Sequence, residues 1–134
     1  MIIGKRSDNT FKWNINVDSS ISIDDFLIPP MIFQPFLENS IEHGLSYSKN
    51  QGIINLSIKV LNQELLECKI IDNGIGIENA KNRRVKKTES KGIELIKKRL
   101  NMINKQSKIR ITDLKKIASE NGTLVLIHLP YQNY

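Results

Sequence analysis

Asp72 is the residue that first asks for a chemical explanation. It shares parity with Leu66, Cys68 and Ile70 in the run Leu65 to Asp72, so a carboxylate closes a row otherwise built for a core. A buried carboxylate without partners is costly, so this one needs donors or a ligand. Asn73-Gly74-Ile75-Gly76 follows and turns the chain; taken alone, Asn-Gly is also a common hairpin turn. A second cluster lies upstream, in Gln34-Pro35-Phe36-Leu37-Glu38-Asn39-Ser40-Ile41-Glu42-His43-Gly44. At about 100° per residue Asn39 and His43 fall on one flank of a helix, and Glu38 and Glu42 on another. The third cluster is basic: Lys81, Arg83, Arg84, Lys86, Lys87 and Lys91 stand against Glu89 alone between residues 81 and 91. A solvated loop is its plain reading. Yet the run follows a glycine turn at a strand end and precedes a helix, where backbone N–H groups commonly face anions. That setting points to a polyphosphate held beneath a basic flap.

These side chains need a scaffold, and the hydropathy pattern supplies one. Phe11, Trp13, Ile15 and Val17 alternate with Lys12, Asn14 and Asn16, the period of a half-buried strand. A helix is expected from about Pro30 or Pro35 to His43, with Gly44 ending it and Phe33, Phe36, Leu37 and Ile41 as its apolar stripe. Ile53–Leu61 and Leu65–Asp72 form a hairpin through Asn62-Gln63-Glu64. Ile93, Ile96, Leu100 and Ile103 carry a second helix; Ser107–Thr112 and Thr123–Leu129 read as further strands, the last ending at Pro130. About five strands and two main helices give an α+β two-layer sandwich, a mixed sheet with helices on one face.

Composition narrows the function classes. With 134 residues, 40% hydrophobic and 25% charged, the chain reads as one globular domain spanning 1–134, its core about 11–130. Twenty Lys and Arg against fourteen Asp and Glu leave +6. Because nearly all of that excess sits in the basic run, and aromatics make up only 6% and fall mostly in core positions, diffuse nucleic-acid binding is disfavoured. A single cysteine, Cys68, excludes an internal disulfide or a cysteine-rich zinc site. No apolar run nears the roughly 20 residues needed to span a bilayer, and the first residues lack a signal-peptide core, so a cytoplasmic setting is expected, with a membrane part elsewhere in the protein left open.

The three clusters, with Ser90-Lys91-Gly92-Ile93-Glu94-Leu95 and Gly122-Thr123-Leu124-Val125 behind them, resemble in order and spacing the boxes of the histidine-kinase ATP-binding domain. That family belongs to the GHKL superfamily and has the Bergerat fold; the N box is similar to the QPxxENAxxHG of the LytS-like sensor kinases. The resemblance implies ATP and Mg²⁺ as ligands. It gives Asp72 the adenine 6-amino group, Gly74 and Gly76 the close approach of backbone to nucleotide, Asn39 the metal ion, and His43 a place lining the same pocket. It gives Gly92, beside Lys91, closure over the phosphates next to a basic lid, residues 78–91, and Thr123 the water or amide near adenine; Lys91, Arg84 or Lys87 could supply the phosphate contact that a Lys in place of Glu42 makes in many relatives. The acceptor it implies is a histidine on a separate dimerisation helix, with a response regulator served indirectly and dimerisation carried outside this chain.

Three positions depart from the family pattern. Ser90 replaces the first glycine of the second glycine box, Glu42 stands where many histidine kinases have Lys, and Pro35 occupies the place of the general-base Glu of the ATP-hydrolysing relatives. Proline cannot activate water, which argues for phosphoryl transfer rather than hydrolysis. Glu38 is the candidate to orient the acceptor, although neighbouring residues project about 100° apart. A degenerate nucleotide-binding or interaction module, and an anti-sigma-type serine kinase, remain alternative readings.

Overall fold

A computed structural model describes residues 11–18, 26–27, 32–41, 51–77 and 90–133. Strand β1 (Phe11–Val17), β3 (Gly52–Val60), β4 (Leu65–Asp72), β5 (Lys108–Asp113) and β6 (Thr123–Pro130) form one sheet in the order β1-β3-β4-β6-β5. The β1–β3 pair is parallel and the other three pairs are antiparallel. Two short strands that the sequence did not announce, β2 (Phe26–Leu27) and β7 (Gln132–Asn133), pair antiparallel with each other. Helices α1 (Gln34–Asn39) and α2 (Ser90–Ile103) are the two main helices.

Alternation decides which sheet face is covered. Ile54, Leu56, Leu66, Cys68, Ile70, Val125, Ile127 and Leu129 are buried on one face and share a core with Phe36, Leu37 and Ile41 of the α1 region and Ile93, Ile96 and Leu100 of α2. This is the expected two-layer α+β arrangement. The other face carries Asn14 bonded to Asn55 at 2.9 Å, and Glu67 meeting Lys59 at 3.3 Å and His128 at 3.2 Å. Burial, and then the negative charge of Glu67, push the Cys68 thiol up to about 12. For Glu67 itself burial acts upward, but hydrogen bonds from Lys59 and His128 and the nearby lysine charges outweigh it, leaving its carboxyl below its ordinary value of 4.5.

Several boundaries differ from the sequence reading. Helix α1 starts at Gln34, with Pro35 in its first turn, because Ile32 and Phe33 form a bend; the Pro30 start is not adopted. Ser40 and Ile41 continue in a wider, π-type turn, and the expected end at His43-Gly44 lies outside the described residues. Ile103 is 58% exposed and Ile15 55%, so neither is core: Ile103 is the last residue of α2, and β1 is the edge strand of the sheet. The hairpin turn is stitched by Asn62 Oδ1, which accepts from the N–H groups of Glu64 and Leu65 at 2.8 and 2.9 Å.

The loop between β5 and β6 closes on Gly122. Its φ is +137°, and a Cβ there would come within 2.0 Å of the Asp72 carbonyl oxygen and 2.8 Å of Leu114 Cδ1. Gly122→Ala is therefore expected to cost about 2 kcal/mol or more, read as a lower denaturant midpoint; a midpoint equal to the parent's would show the loop is not seated there. The Glu67 cluster gives a pH signature. A carboxyl held below its unfolded value stabilises above that value and loses the contribution as pH falls through the folded one. Glu67→Gln should thus be less stable than the parent near neutrality, with the gap closing as pH falls below 4.5 and through the lower folded value; a gap independent of pH would exclude the pairing.

Candidate functional site

Asp72 ends β4 only 2% exposed, directly opposite Ile54 on one side and Thr123 on the other. Its carboxylate is met by three protein donors. The Gly74 N–H donates to Oδ1 at 2.9 Å, the Ser40 hydroxyl donates to Oδ2 at 2.8 Å, and the Thr123 backbone N–H also hydrogen-bonds to it. Burial pushes the carboxyl above the ordinary range, and these three donors draw it back without cancelling the shift. The apolar row thus ends in a carboxylate that is satisfied, not orphaned, and that retains acceptor capacity.

The Ser40 bond bridges 32 positions of sequence and places the end of α1 against the end of β4. Asn39, the preceding residue, has a side-chain oxygen, Oδ1, that is buried with no hydrogen-bond partner; among the described residues it is the one such atom. An orphaned buried acceptor of this kind costs about 1–3 kcal/mol, and an amide oxygen is a suitable donor to a hard cation. The residue fits a divalent ion on that observation. Among the described residues no group of three His, Cys, Asp or Glu side chains is gathered to hold a metal.

The glycines divide into two kinds. Gly76 has φ +86°, and a Cβ on it would lie 3.1 and 3.2 Å from the Asp113 carboxylate oxygens and 3.2 Å from the Gly122 carbonyl, so the fold itself demands glycine. Gly92, in the first turn of α2, would meet nothing within 4 Å, so the fold does not. Asn73 acts as a splice rather than a hairpin turn: its Oδ1 accepts from Ile53 N at 2.7 Å and its Nδ2 donates to Gln51 O at 2.9 Å.

Of the residues nominated from sequence, Asp72, Gly74, Gly76 and Thr123 come together at the sheet end, with Asn39 next to the residue that touches Asp72. Glu38 is exposed and turned elsewhere: it lines an open, mostly apolar groove of about 540 Å³ between α1 and α2, with Pro35, Gly92, Leu95, Arg99 and Met102. His43 and Lys87 lie outside the described residues; Lys91 is placed in α2 by its backbone alone. Sequence reasoning missed Ser40, Asp113 and Gly122. Ser40 carried a signal, since it falls within the stripe Phe36, Leu37, Ile41, where a polar residue needs a partner. Asp113, 4% exposed, caps the following 3-10 turn through Lys115 N at 3.0 Å, and only the register shows that it packs on Gly76.

No family model matches the chain. It is 33% identical over 131 residues to the sensor protein LytS of Oceanobacillus iheyensis, covering 87% of this chain and 21% of that protein. It is also 33% identical over 98 residues to the putative uncharacterized protein YwpD of Bacillus subtilis, covering 71% and 34%. The chain therefore spans between about a fifth and a third of these curated relatives. Among solved structures it superposes on the mycobacterial sensor histidine kinase MprB with a TM-score of 0.62 at 17% identity, covering 97% of this chain and 87% of that one. The histidine kinase domain of the Erythrobacter litoralis EL346 blue-light activated histidine kinase gives 0.61 at 20% identity, covering 90% and 52%. Similarity to a LytS sensor protein over 87% of this chain, the shared fold and the ordered boxes together place the chain in one family: it belongs to the ATP-binding catalytic domains of sensor histidine kinases, in the LytS-like group.

Proposed function

We propose that this chain binds ATP with Mg²⁺ and delivers the γ-phosphoryl group to a histidine on a separate helix of the same sensor kinase. The observation that carries the reading is the pairing of a buried, donor-flanked carboxylate with an orphaned amide oxygen one residue from its hydroxyl partner. Asp72 would take the adenine amino group on its remaining acceptor position, with Thr123 beside it. Gly76 would form the turn against the base, and Gly74, whose N–H holds Asp72, would fix that turn to the strand. Asn39 would hold the ion, which when bound neutralises phosphate charge. His43, Lys87 and Lys91 stay proposed as further contacts to the bound nucleotide.

Gly92 supports the phosphate end. A glycine with open space around it in the first turn of a helix costs helix stability without a packing reason, which fits close approach of a ligand there. In the transfer, the bond between the γ-phosphorus and the β–γ bridging oxygen breaks as a phosphorus–nitrogen bond forms; ADP leaves and the acceptor imidazole loses its proton. Positioning and charge neutralisation supply most of the catalysis. Glu38 does not face Asp72, but it lines the groove from which an acceptor would approach, so its role is to orient that imidazole. With Pro35 in the first turn of α1, no carboxylate stands there to activate water.

The whole protein's partners extend this reading: dimerisation and the response regulator would be engaged through regions beyond the matched fifth of LytS. No helix among the described residues is long and apolar enough to cross a membrane; the need for ATP places the domain on the cytoplasmic side.

Calorimetric titration with ATP tests the reading. Binding is expected to tighten strongly with Mg²⁺, and Asn39→Ala is expected to abolish that dependence while leaving Mg²⁺-free binding nearly intact; equal binding with and without the ion would remove Asn39 from the site. Incubation with the acceptor-helix segment should yield an acid-labile phosphoprotein; an acid-stable one would point to a serine acceptor. Gly92→Ala should leave thermal stability equal or higher, by up to about 1 kcal/mol, yet weaken ATP binding; unchanged affinity would exclude close phosphate approach at this residue.

A further inference from the structure

Ser40 is a polar residue in an apolar stripe, 7% exposed, between buried Leu37 and Ile41. A serine inside a helix ordinarily returns its hydroxyl to the carbonyl four residues back or turns it to water. Here the hydroxyl crosses to β4 and donates to Asp72 Oδ2 at 2.8 Å. Its own backbone N–H is already spent on the Leu37 and Phe36 carbonyls, so the hydroxyl alone makes the cross-link.

The consequence follows from counting lone pairs. An ionised carboxylate offers about four acceptor positions. Gly74 takes one on Oδ1, Ser40 takes one on Oδ2, and the Thr123 backbone takes another; these three donors from the described residues leave one of the four open. The two side-chain oxygens are therefore anchored from opposite sides, Oδ1 by the turn that follows β4 and Oδ2 by α1. The torsion of the carboxylate is fixed, and with it the direction of the position left over. Remove Ser40 and Oδ2 loses its anchor to the helix.

Resting on the reading of Asp72 as the partner of the adenine amino group, we propose that Ser40 is a positioning residue for purine selection: by anchoring Asp72 Oδ2 it aims the open acceptor position of the carboxylate at a single N–H donor, the exocyclic 6-amino group. A 6-amino purine fills that position. A purine with hydrogen at carbon 6 leaves it empty, and one with a carbonyl there sets acceptor against acceptor. The selectivity of the site is thus shared between the carboxylate on the sheet and the hydroxyl on the helix, and the same hydroxyl fixes the helix residue next to Asn39.

The test compares two nucleotides on the intact chain: ATP and purine riboside 5′-triphosphate, which differs from ATP only by lacking the amino group. Parent, Ser40→Ala and Ser40→Cys are titrated with each, and their unliganded thermal midpoints are recorded. The parent should prefer ATP. In Ser40→Ala, ATP affinity should fall about tenfold, the scale of a hydrogen bond to a charged group, while affinity for the analogue stays within about twofold. Ser40→Cys, close in shape and a weak donor, should behave like the alanine variant, and it carries the test if alanine prevents folding. If both nucleotides weaken by the same factor, or the preference for ATP survives in both variants, Ser40 only packs the helix end and the proposal is overturned. A parent that binds ATP without preference over the analogue, or does not bind it, overturns the role of Asp72 itself and this inference with it.

Discussion

One buried carboxylate organises the ligand-facing end of this domain. Asp72 sits at the last position of β4, at 2% exposure, and its two oxygens collect donors from three separate elements: the turn after β4, the first residue of β6 and the end of α1. Burying a charge is tolerable only when it is hydrogen-bonded, so these elements are held in mutual register by the same requirement that keeps the group ionisable. The shape of the site is thereby a consequence of satisfying one residue. These three donors, all from described residues, leave the carboxylate with acceptor capacity still open.

Around that point the glycines show how structural and functional demands separate. Gly76 and Gly122 are compelled by backbone: both lie at positive φ, and each is in contact with the other's surroundings through Asp113, Leu114 and the carbonyls of Asp72 and Gly122. Gly92 has no such constraint. A glycine that no described residue crowds, at the start of an amphipathic helix, forgoes helix stability. The same contrast holds for polar groups. Asp72 is saturated by protein donors to all but one position, whereas Asn39 Oδ1 is buried with none. The first pattern pre-organises a rigid surface; the second sets an unpaired amide oxygen beside it.

Two neighbouring polar residues of α1, a carboxylate and an amide, illustrate how helix geometry separates side chains. Glu38 and Asn39 are adjacent in sequence, yet Asn39 turns its oxygen into the protein while Glu38 faces the groove between α1 and α2. Their separation around the helix axis puts the buried amide oxygen and the exposed carboxylate on different sides of one turn. Helix α1 is short, six residues, and its α geometry gives way to a wider turn at Ser40 and Ile41. That wider turn sits at the residue whose hydroxyl reaches the sheet.

The amino-acid sequence by itself determined the element types, because alternation and three-to-four spacing are properties of neighbouring residues: β3, β4 and β6 begin and end within a residue or two of their periodic runs, and α2 ends with its own. It also determined that Asp72 would face the core, since parity along a strand is fixed, and that three boxes in this order belong together. Tertiary structure alone decided who satisfies whom. The partner of Asp72 lies 32 residues away on a helix, the carboxylate against Gly76 comes from β5, and Ile15 and Ile103 are left exposed because their positions lie at an edge and an end. A side chain's type and direction are local quantities carried by the chain's own period, whereas the occupant of the space it points into depends on the register and packing of distant segments, which no period records.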